Sequence, residues 1–360
     1  MERGRGMISL DELFKEATLE FASDVHITVG LPPMKRIFGR LYPCLTVPLT
    51  EKDTEECVKQ ILSKEQYDKY IEDGEIDLSY AQPGVSWFRV NAFKQRGVDA
   101  LVLRTIPMDI PTLDSLNMPS VLKELTNKIN GLILVTGPTG SGKTTTLAAM
   151  VDEINRKRTD HIITLEDPIE YLHRHKKCIV NQREVGKDTH SFAKAVRAAL
   201  REDPDVILVG EMRDLETISI ALTAAETGHL VLSTLHTIGA AKTIDRIVDA
   251  FPPHQQQQIK VQLAGVLEGV ISQQLIETVN GDGRVCAMEI MTVNPAIRNL
   301  IRDGKTHLID SVIQTSTKYG MQTMDRSLID LYKQGRISED QVLRRCIDKE
   351  FMEEEFRIRS

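Results

Sequence analysis

Apolar and polar residues follow two different periods in the first third of the chain. Apolar side chains recur at helical spacing over residues 10–17, which predicts an N-terminal helix. The stretch SDVHITVG alternates apolar and polar positions and predicts a strand. After a break at GLPP, MKRIFGRL is predicted to form the partner strand. We therefore expect an N-terminal α+β domain over residues 1–106.

The segment FRVNAFKQRGVDALVLR predicts a β-hairpin. If Arg96 and Gly97 form a two-residue turn, Arg89 lies directly opposite Arg104, because each is seven residues from the turn. Like charges that face each other across strands destabilise a sheet unless an anion lies near them. That anion is either a bound phosphate or a surface carboxylate, and the pattern alone leaves both open.

From residue 120 to residue 291 the apolar runs become nearly continuous and alternate with helical segments. Such a pattern indicates an α/β fold with a parallel sheet covered on both faces. The predicted order is GLILVT, a helix after Lys143, HIITLE, a helix at FAKAVRAAL, DVILVG, a helix after Asp214, and HLVLSTLH. The proline-containing stretch 107–119 is the predicted linker between this core and the first domain.

Residues 292–360 are predicted to be a helical region. Its four segments are PAIRNLIRD, HLIDSVIQTS, MDRSLIDLYKQG and SEDQVLRRCIDKEF. In a helix, AIRNLIRD is amphipathic: Ile297, Leu300 and Ile301 share one face. Arg298 and Arg302 lie four residues apart on another face.

Composition and charge argue against several classes of protein. The 360 residues include 45 basic and 52 acidic side chains, a net charge of −7, which argues against stable nucleic-acid binding. The five cysteines are widely separated and none has CxxC spacing, so we expect no structural zinc and no disulfide framework. No apolar run approaches the ~18 residues needed to cross a bilayer, and the N-terminus has no secretory signal pattern. We expect a cytoplasmic protein.

The clearest chemical motif is a phosphate-binding loop. GPTGSGKT follows an apolar strand and opens a helix, which is the context that this motif requires. Lys143 is expected to reach the β- and γ-phosphate oxygens of ATP, and the Thr144 hydroxyl to bind Mg²⁺. The residues predicted to hold the nucleotide are Gly137, Pro138, Thr139, Gly140, Ser141, Gly142, Lys143, Thr144 and Thr145.

Two predicted strands end in glutamates close to where the phosphates would lie. Glu166 ends one strand, and because Pro168 then breaks the strand we expect Glu166 to be exposed at the rim. Glu211 follows Gly210 at the end of the other strand, and its reach suits it to holding Mg²⁺ through water. Three further acids fit a solvated or helix-capping role as well as a catalytic one: Asp167, Glu170 and Asp214.

Four motifs together resemble the secretion-superfamily ATPases. GPTGSGKT, ITLEDPIEY, DPDVILVGEMRDLET and TGHLVLSTLHT are similar, in that order, to the Walker A, Asp-box, Walker B and His-box motifs of this family. ASDVHITVGLPP, FRVNAFKQRG and AIRNLIRDGK resemble the type IV pilus retraction ATPases within it, and the likeness runs from Met7 to the region of Met324. The resemblance implies a PAS-like N-terminal domain, a RecA-like P-loop core and a helical C-terminal part.

The resemblance also implies roles for single residues. Glu166 would be the general base, Glu211 the Walker B acid near Mg²⁺, and His236 the His-box residue that links the nucleotide site to its surroundings. His229 precedes His236 by seven positions, so the two lie on opposite faces of a regular strand, and we expect His229 to be a buried, hydrogen-bonded structural residue. Family likeness favours Arg89 and Arg104 as contacts to the γ-phosphate.

The function implied is an ATP-driven motor. The family forms homo-hexameric rings, and this chain would act at the inner face of the cell membrane with an inner-membrane pilus platform protein. AIRNLIRD is associated in the family with pilus retraction, so we expect a coupling role for it. The alternatives are a pilus-extension or type II secretion ATPase, an accessory retraction paralogue, and a regulatory subunit with little hydrolysis of its own.

Overall fold

The computed structural model describes residues 9–20, 22–37, 40–82, 85–106, 109–281 and 283–357. The chain divides into two compact units. The first comprises Met1–Asp109 with Glu170–Leu172, and the second comprises Ile110–Ile169 with His173–Ser360. Pro107 and Met108 of the predicted linker lie outside the described residues.

The described residues of the first unit form a six-stranded antiparallel sheet with three helices, in the strand order β3-β2-β1-β6-β5-β4. Its elements are α1 (Leu10–Leu19), β1 (Asp24–Ile27), β2 (Met34–Ile37), β3 (Arg40–Pro43), α2 (Glu51–Ile61), α3 (Lys64–Asp73), β4 (Glu75–Gln82), β5 (Ser86–Gln95) and β6 (Val98–Ile106). The predicted first helix is confirmed: the Ser9 side chain caps it by accepting a hydrogen bond from the Glu12 backbone N–H. The PAS-like nature of this domain stays a prediction.

The prediction of one strand at MKRIFGRL is wrong. The segment contains two strands, β2 and β3, which pair with each other antiparallel from Ile37 and Arg40 outward. β2 is the partner of β1, as predicted. Phe38 and Gly39 lie outside the described residues.

The hairpin of β5 and β6 has the predicted register. Arg96 and Gly97 both take positive φ angles, 53° and 80°, as a two-residue hairpin turn requires. Arg89 is paired opposite Arg104. Neighbouring positions such as Val90 and Leu103 point to the other face of the sheet, into the core of this unit.

The second unit contains all the other elements. They are α4 (Val121–Thr126), β7 (Gly131–Thr136), α5 (Lys143–Lys157), β8 (His161–Glu166), β9 (Ile179–Glu184), α6 (Phe192–Ala199), β10 (Val206–Val209), α7 (Leu215–Glu226), β11 (Leu230–Leu235), α8 (Ala240–Asp249), α9 (Pro253–Val266), β12 (Leu267–Glu277), β13 (Arg284–Thr292), α10 (Pro295–Asp303), α11 (Ile309–Thr315), α12 (Met324–Lys333), α13 (Glu339–Leu343) and α14 (Lys349–Arg357). Short 3₁₀ turns lie at Thr306–Leu308 and Thr317–Tyr319.

These strands form a seven-stranded sheet in the order β13-β12-β7-β11-β10-β8-β9. The neighbouring pairs are parallel except for β12 with β13, which confirms a largely parallel sheet. Along β7, Leu132 and Leu134 belong to one hydrophobic cluster, whereas Ile133 and Val135 belong to another. Because alternate residues point to opposite faces, the sheet is buried on both sides, as the apolar runs predict.

In the C-terminal region, the first three predicted helical segments are confirmed, but the fourth is not one helix. SEDQVLRRCIDKEF breaks into α13 and α14. The Asp348 side chain accepts a hydrogen bond from the Phe351 backbone N–H at 3.0 Å, so it caps a new helix rather than continuing the old one. Among the described residues, every helix is too short or too polar to span a bilayer.

Candidate active site

Four adjacent parallel strands bring the predicted site residues to one edge of the sheet. β7, β11, β10 and β8 are neighbours in that order. Their carboxyl ends carry, respectively, the loop 137–142, His236, Glu211 and Glu166. Since adjacent strands lie about 4.8 Å apart, the four ends span roughly 14 Å, which is comparable with the length of a nucleoside triphosphate. In open parallel sheets ligands bind beyond this edge.

The loop after β7 has the backbone of an anion cradle. Gly137, Gly140 and Gly142 all take positive φ angles, 139°, 77° and 90°. A Cβ atom on Gly137 would lie 2.3 Å from the backbone oxygen of Gln273 and 2.7 Å from the Ser141 hydroxyl oxygen, so the position accepts only glycine. α5 begins directly after the loop, and its N-terminus adds positive potential there.

Lys143 is held against its own loop. Its side chain is buried, and Nζ donates hydrogen bonds to the carbonyl oxygens of Gly137 at 2.9 Å and Pro138 at 3.1 Å. A buried ammonium needs oxygen partners, and phosphate oxygens could take the place of these carbonyls. Thr144 and Thr145 follow on the first turn of α5, both half-buried.

Glu166 does not lie exposed at the rim, so that prediction is wrong. Only 8% of it is exposed. Its Oε1 accepts hydrogen bonds from the Thr164 hydroxyl at 2.6 Å and from Nε2 of Gln182 at 3.1 Å. Thr164 and Gln182 are register partners on β8 and β9, so an additional strand at this edge of the sheet covers and orients the carboxylate.

Glu211 and His236 are brought into contact. Oε1 of Glu211 lies 3.2 Å from Nε2 of His236, and Oε2 accepts from Nε of Arg213 at 2.8 Å. The Glu211 side chain is 17% exposed, whereas Arg213 and His236 are largely open to solvent. Both carboxylate oxygens of Glu211 therefore have a neighbouring side-chain nitrogen, which fixes the direction of the carboxylate at the end of β10.

Gly210 explains why glycine precedes the acid at this strand end. A Cβ atom there would lie 3.1 Å from the Leu165 carbonyl oxygen and 3.4 Å from the Glu166 Cα. The Gly210 backbone N–H also donates to the Leu165 oxygen at 2.8 Å. The end of β10 therefore approaches the end of β8 closely, and the two glutamate-bearing segments lie against each other.

The structure also places His229 and two of the three further acids. His229 is hydrogen-bonded as expected, with Nδ1 2.9 Å from the Ala224 carbonyl oxygen, but it is half-buried rather than buried. Asp214 caps α7 by accepting hydrogen bonds from the backbone N–H and the hydroxyl of Thr217. Asp167 is exposed.

The donor set fits a magnesium ion. A threonine hydroxyl and a glutamate carboxylate are hard oxygen ligands, and Mg²⁺ typically binds one or two protein groups together with phosphate oxygens and water. Within the described part of the chain there is no cluster of three or more His, Cys, Asp or Glu side chains able to hold a metal by themselves. Thr144 and Glu211 would therefore share the ion with a bound nucleotide.

In the first unit, the predicted arginines lie on the solvent-exposed face of the sheet. Nε of Arg104 lies 3.0 Å from Oδ1 of Asp24, the residue paired with it across β1 and β6. The ion-pair alternative therefore holds for Arg104, although 69% of its side chain remains exposed. Arg89 is exposed beside it. A nucleotide contact from either arginine stays a prediction.

The sequence prediction missed the residues that hold these groups in place. Thr164 could have been found, because residues two apart on a strand share a face and it lies two before Glu166. Gln182 could not, because its role depends on which strands become neighbours in the sheet. No local pattern in the sequence specifies that order.

Comparison with known proteins gives consistent matches over nearly the whole chain. The family model described as "Type II/IV secretion system protein" matches residues 6–344. The chain is 51% identical over 333 residues to the "Type IV pilus retractation ATPase PilT" of Pseudomonas aeruginosa, covering 92% of this chain and 96% of that one. It is 40% identical over 336 residues to the "Type IV pilus ATPase PilU" of the same organism, covering 93% and 88%.

A solved structure, "Crystal Structure of the Pilus Retraction Motor PilT and Bound ADP", matches with a TM-score of 0.90 and 49% identity. The match covers 96% of this chain and 99% of the other.

Proposed function

The chain belongs to the type II/IV secretion system protein family of ATPases, and we propose that it hydrolyses ATP as a homo-hexameric ring that powers type IV pilus retraction. The observation that carries the proposal is the row of four neighbouring strand ends bearing the phosphate loop, His236, Glu211 and Glu166. The 51% identity to a pilus retraction ATPase supports the choice of retraction among the activities of the family.

In this proposal each site residue has a separate task. The loop backbone and Lys143 bind the phosphates, and Thr144 and Glu211 hold Mg²⁺, which when bound neutralises charge on the phosphate oxygens. Glu166 takes a proton from the attacking water, and its hydrogen bonds from Thr164 and Gln182 fix the direction of its carboxylate. His236 links the nucleotide site to its surroundings through its contact with Glu211.

The motor step requires the first unit to respond to the nucleotide. We propose that Arg89 and Arg104 of this PAS-like domain contact the γ-phosphate, so that ATP favours one arrangement of the two units and its hydrolysis releases that arrangement. Moving such an equilibrium from 1:99 to 99:1 takes about 5.5 kcal/mol of differential binding. In the ring the work would pass to an inner-membrane platform protein at the inner face of the cell membrane.

Hydrolysis is tested by measuring phosphate release and ADP binding on purified protein. Glu166→Gln should lower kcat by about 10² to 10⁴ while ADP affinity stays within a factor of about two, because general-base loss removes only transition-state stabilisation. Asp167→Asn is the matched control, since Asp167 is the exposed neighbouring acid. Equal turnover in the wild type and Glu166→Gln would reject Glu166 as the base, and no turnover in the wild type would reject the ATPase proposal.

The direction of the motor is tested by deleting the gene and counting surface pili and surface motility. Excess pili without motility support retraction, whereas absent pili support an extension ATPase. A second candidate, an accessory retraction motor, is favoured by the 40% identity to PilU. Normal motility after the deletion, with a defect only when a second retraction ATPase is also weakened, would establish that candidate instead.

A further inference from the structure

The hairpin of β12 and β13 contacts both the phosphate loop and the loop that carries His236. β12 lies beside β7 in the sheet, and Ser272 is paired with Thr136, the last residue before the phosphate loop. β13 follows antiparallel, with Glu289 directly opposite Ser272. All three of Ser272, Gln273 and Glu289 are buried, with at most 3% of each exposed.

Gln273 faces the phosphate loop. Its Nε2 donates hydrogen bonds to the carbonyl oxygen of Ser141 at 3.2 Å and to the hydroxyl of Thr146 at 3.1 Å. Its backbone oxygen is the atom that a side chain on Gly137 would meet. One residue of β12 therefore touches the beginning of the loop, its end and the first turn of α5.

Ser272 and Glu289 face the other loop. The Ser272 hydroxyl oxygen accepts a hydrogen bond from the Gly239 backbone N–H at 2.9 Å, and Oε1 of Glu289 accepts from the Ala240 backbone N–H at 2.7 Å. Gly239 and Ala240 end the short connection from His236 to α8 and begin the helix. Ser272 on β12 and Glu289 on β13 thus cap α8, with the Glu289 carboxyl group at the positive end of that helix.

Burying the polar side chain of Gln273 is less favourable for the stability of the fold than burying an apolar one. Oε1 of Gln273 is buried without a hydrogen-bond partner among the described residues, and such an acceptor costs about 1–3 kcal/mol. Its strand neighbours Val270, Ile271 and Ile276 are apolar and fully buried. Nε2 also donates to Sγ of Cys286 at 3.3 Å, a weak acceptor. An apolar side chain would be the more stable choice at position 273 unless the amide is needed for its hydrogen bonds to Ser141 and Thr146.

We propose that Gln273, Ser272 and Glu289 are positioning residues for ATP hydrolysis, and that their hairpin sets the distance between the phosphate loop and the His236 loop. Adjacent residues of a strand point to opposite sides, so Gln273 fixes one loop and Ser272 fixes the other from the same stretch of backbone. The inference rests on the proposed ATPase function and adds buried residues that lie outside the four sequence motifs of the site.

Substitutions at Gln273, which contacts the phosphate loop, and at Glu289, which contacts the His236 loop, should cause different kinetic defects. Gln273→Met keeps the volume but loses the hydrogen bonds, so the loop loses its binding shape, and the dissociation constant of ADP should rise about tenfold for one net hydrogen bond. Glu289→Ala leaves the phosphate loop intact, so kcat should fall about tenfold while ADP affinity stays within a factor of about two. Glu289→Gln still offers an oxygen to Ala240 and should recover most of the lost turnover.

The matched control is Gln274→Met, at the half-buried neighbouring position, which should behave as wild type in both assays. Gln273→Asn, whose amide is one methylene too short to reach Ser141, serves if Gln273→Met does not fold, and it should weaken ADP binding equally. Wild-type ADP affinity in a folded Gln273 variant, or equal turnover in Glu289→Ala and Glu289→Gln, overturns the proposal. ADP binding is measured independently of turnover. The role of Gln273 is therefore tested even if the wild type does not hydrolyse ATP.

Discussion

Arg298 in α10 holds three groups of the second unit at once. Its guanidinium donates to the carbonyl oxygens of Ala264 at 2.6 Å and Gly265 at 2.7 Å, at the end of α9, and to Oε1 of Glu268 at 2.7 Å. Arg302, one turn later, is exposed and has a side-chain hydrogen bond to Asn299 within its own helix. The two arginines of the AIRNLIRD segment therefore differ in structure although the sequence presents them alike.

The expected cost of Arg298→Ala follows from these contacts. Hydrogen bonds to charged groups contribute about 1.5–3 kcal/mol each, but water can reach a side chain that is 31% exposed, so we take about 2 kcal/mol for the whole residue. For a unit of roughly this size, about 2 kcal/mol lowers the melting temperature by about 4–8 °C. Arg302→Ala, a surface change, should stay within about 0.5 kcal/mol.

Calorimetry tests this prediction, with ADP identifying the transition of the unit that contains the phosphate loop, because a bound ligand raises the melting temperature of the unit that binds it. Equal melting temperatures for Arg298→Ala and Arg302→Ala would refute the reasoning. If it holds, a retraction defect in Arg298→Ala reflects weakened packing of α10. A defect in Arg302→Ala at unchanged stability would instead indicate a contact with another protein, and it is the informative variant for the coupling role of this helix.

Three further results are expected. Gly210→Ala should lower ATP turnover about tenfold, because the added methyl must push the end of β8 by a few tenths of an ångström and a shift of about 1 Å at reacting groups can cost about 10²-fold; unchanged phosphate release would contradict the close approach to Glu166. Burial lowers the pKa of His173 from 6.5 to about 4, so the unfolded chain binds the proton first and stability is lost as pH falls from about 6.5 toward 4; His173→Gln should flatten the unfolding free energy between pH 7 and 5, and parallel curves would count against it. Arg89→Ala and Arg104→Ala should each cut kcat by about 10³-fold with ATP binding largely kept; equal losses of binding with turnover per bound ATP intact would argue for a purely structural pair.

Local patterns predicted the parts of the fold that depend on local interactions. The register of Arg89 and Arg104 follows from a two-residue turn between them, so counting from Arg96 and Gly97 was sufficient. The strands of the parallel core are nearly continuous apolar runs, because both faces of the sheet are buried. The phosphate loop carries its own backbone requirement in its glycines.

The burial of Glu166 could not be predicted in the same way. Its environment depends on β9, whose sequence IVNQRE has only two apolar residues and resembles a loop. β9 forms as an edge strand, where one face and one side meet solvent, so polar residues are tolerated. Pro168 correctly marks the end of β8. The end of this strand is nevertheless buried, because β9 pairs with β8 as far as Glu166.

The strand β12 was missed for a related reason that bears on function. Its sequence, LEGVISQQLIE, is interrupted at the centre by polar residues, so the apolar run that would mark a buried strand is broken. The oxygens that accept hydrogen bonds from Nε2 of Gln273 belong to Ser141 and Thr146, more than 100 residues earlier in the chain. In the sequence alone, a polar residue such as Gln273 argues against a buried strand. In the folded protein, hydrogen bonds to Ser141 and Thr146 reduce the cost of burying it. Where a buried strand departs from the apolar rule and the polar side chain reaches a catalytic loop, the departure itself is the reason to test that residue for function.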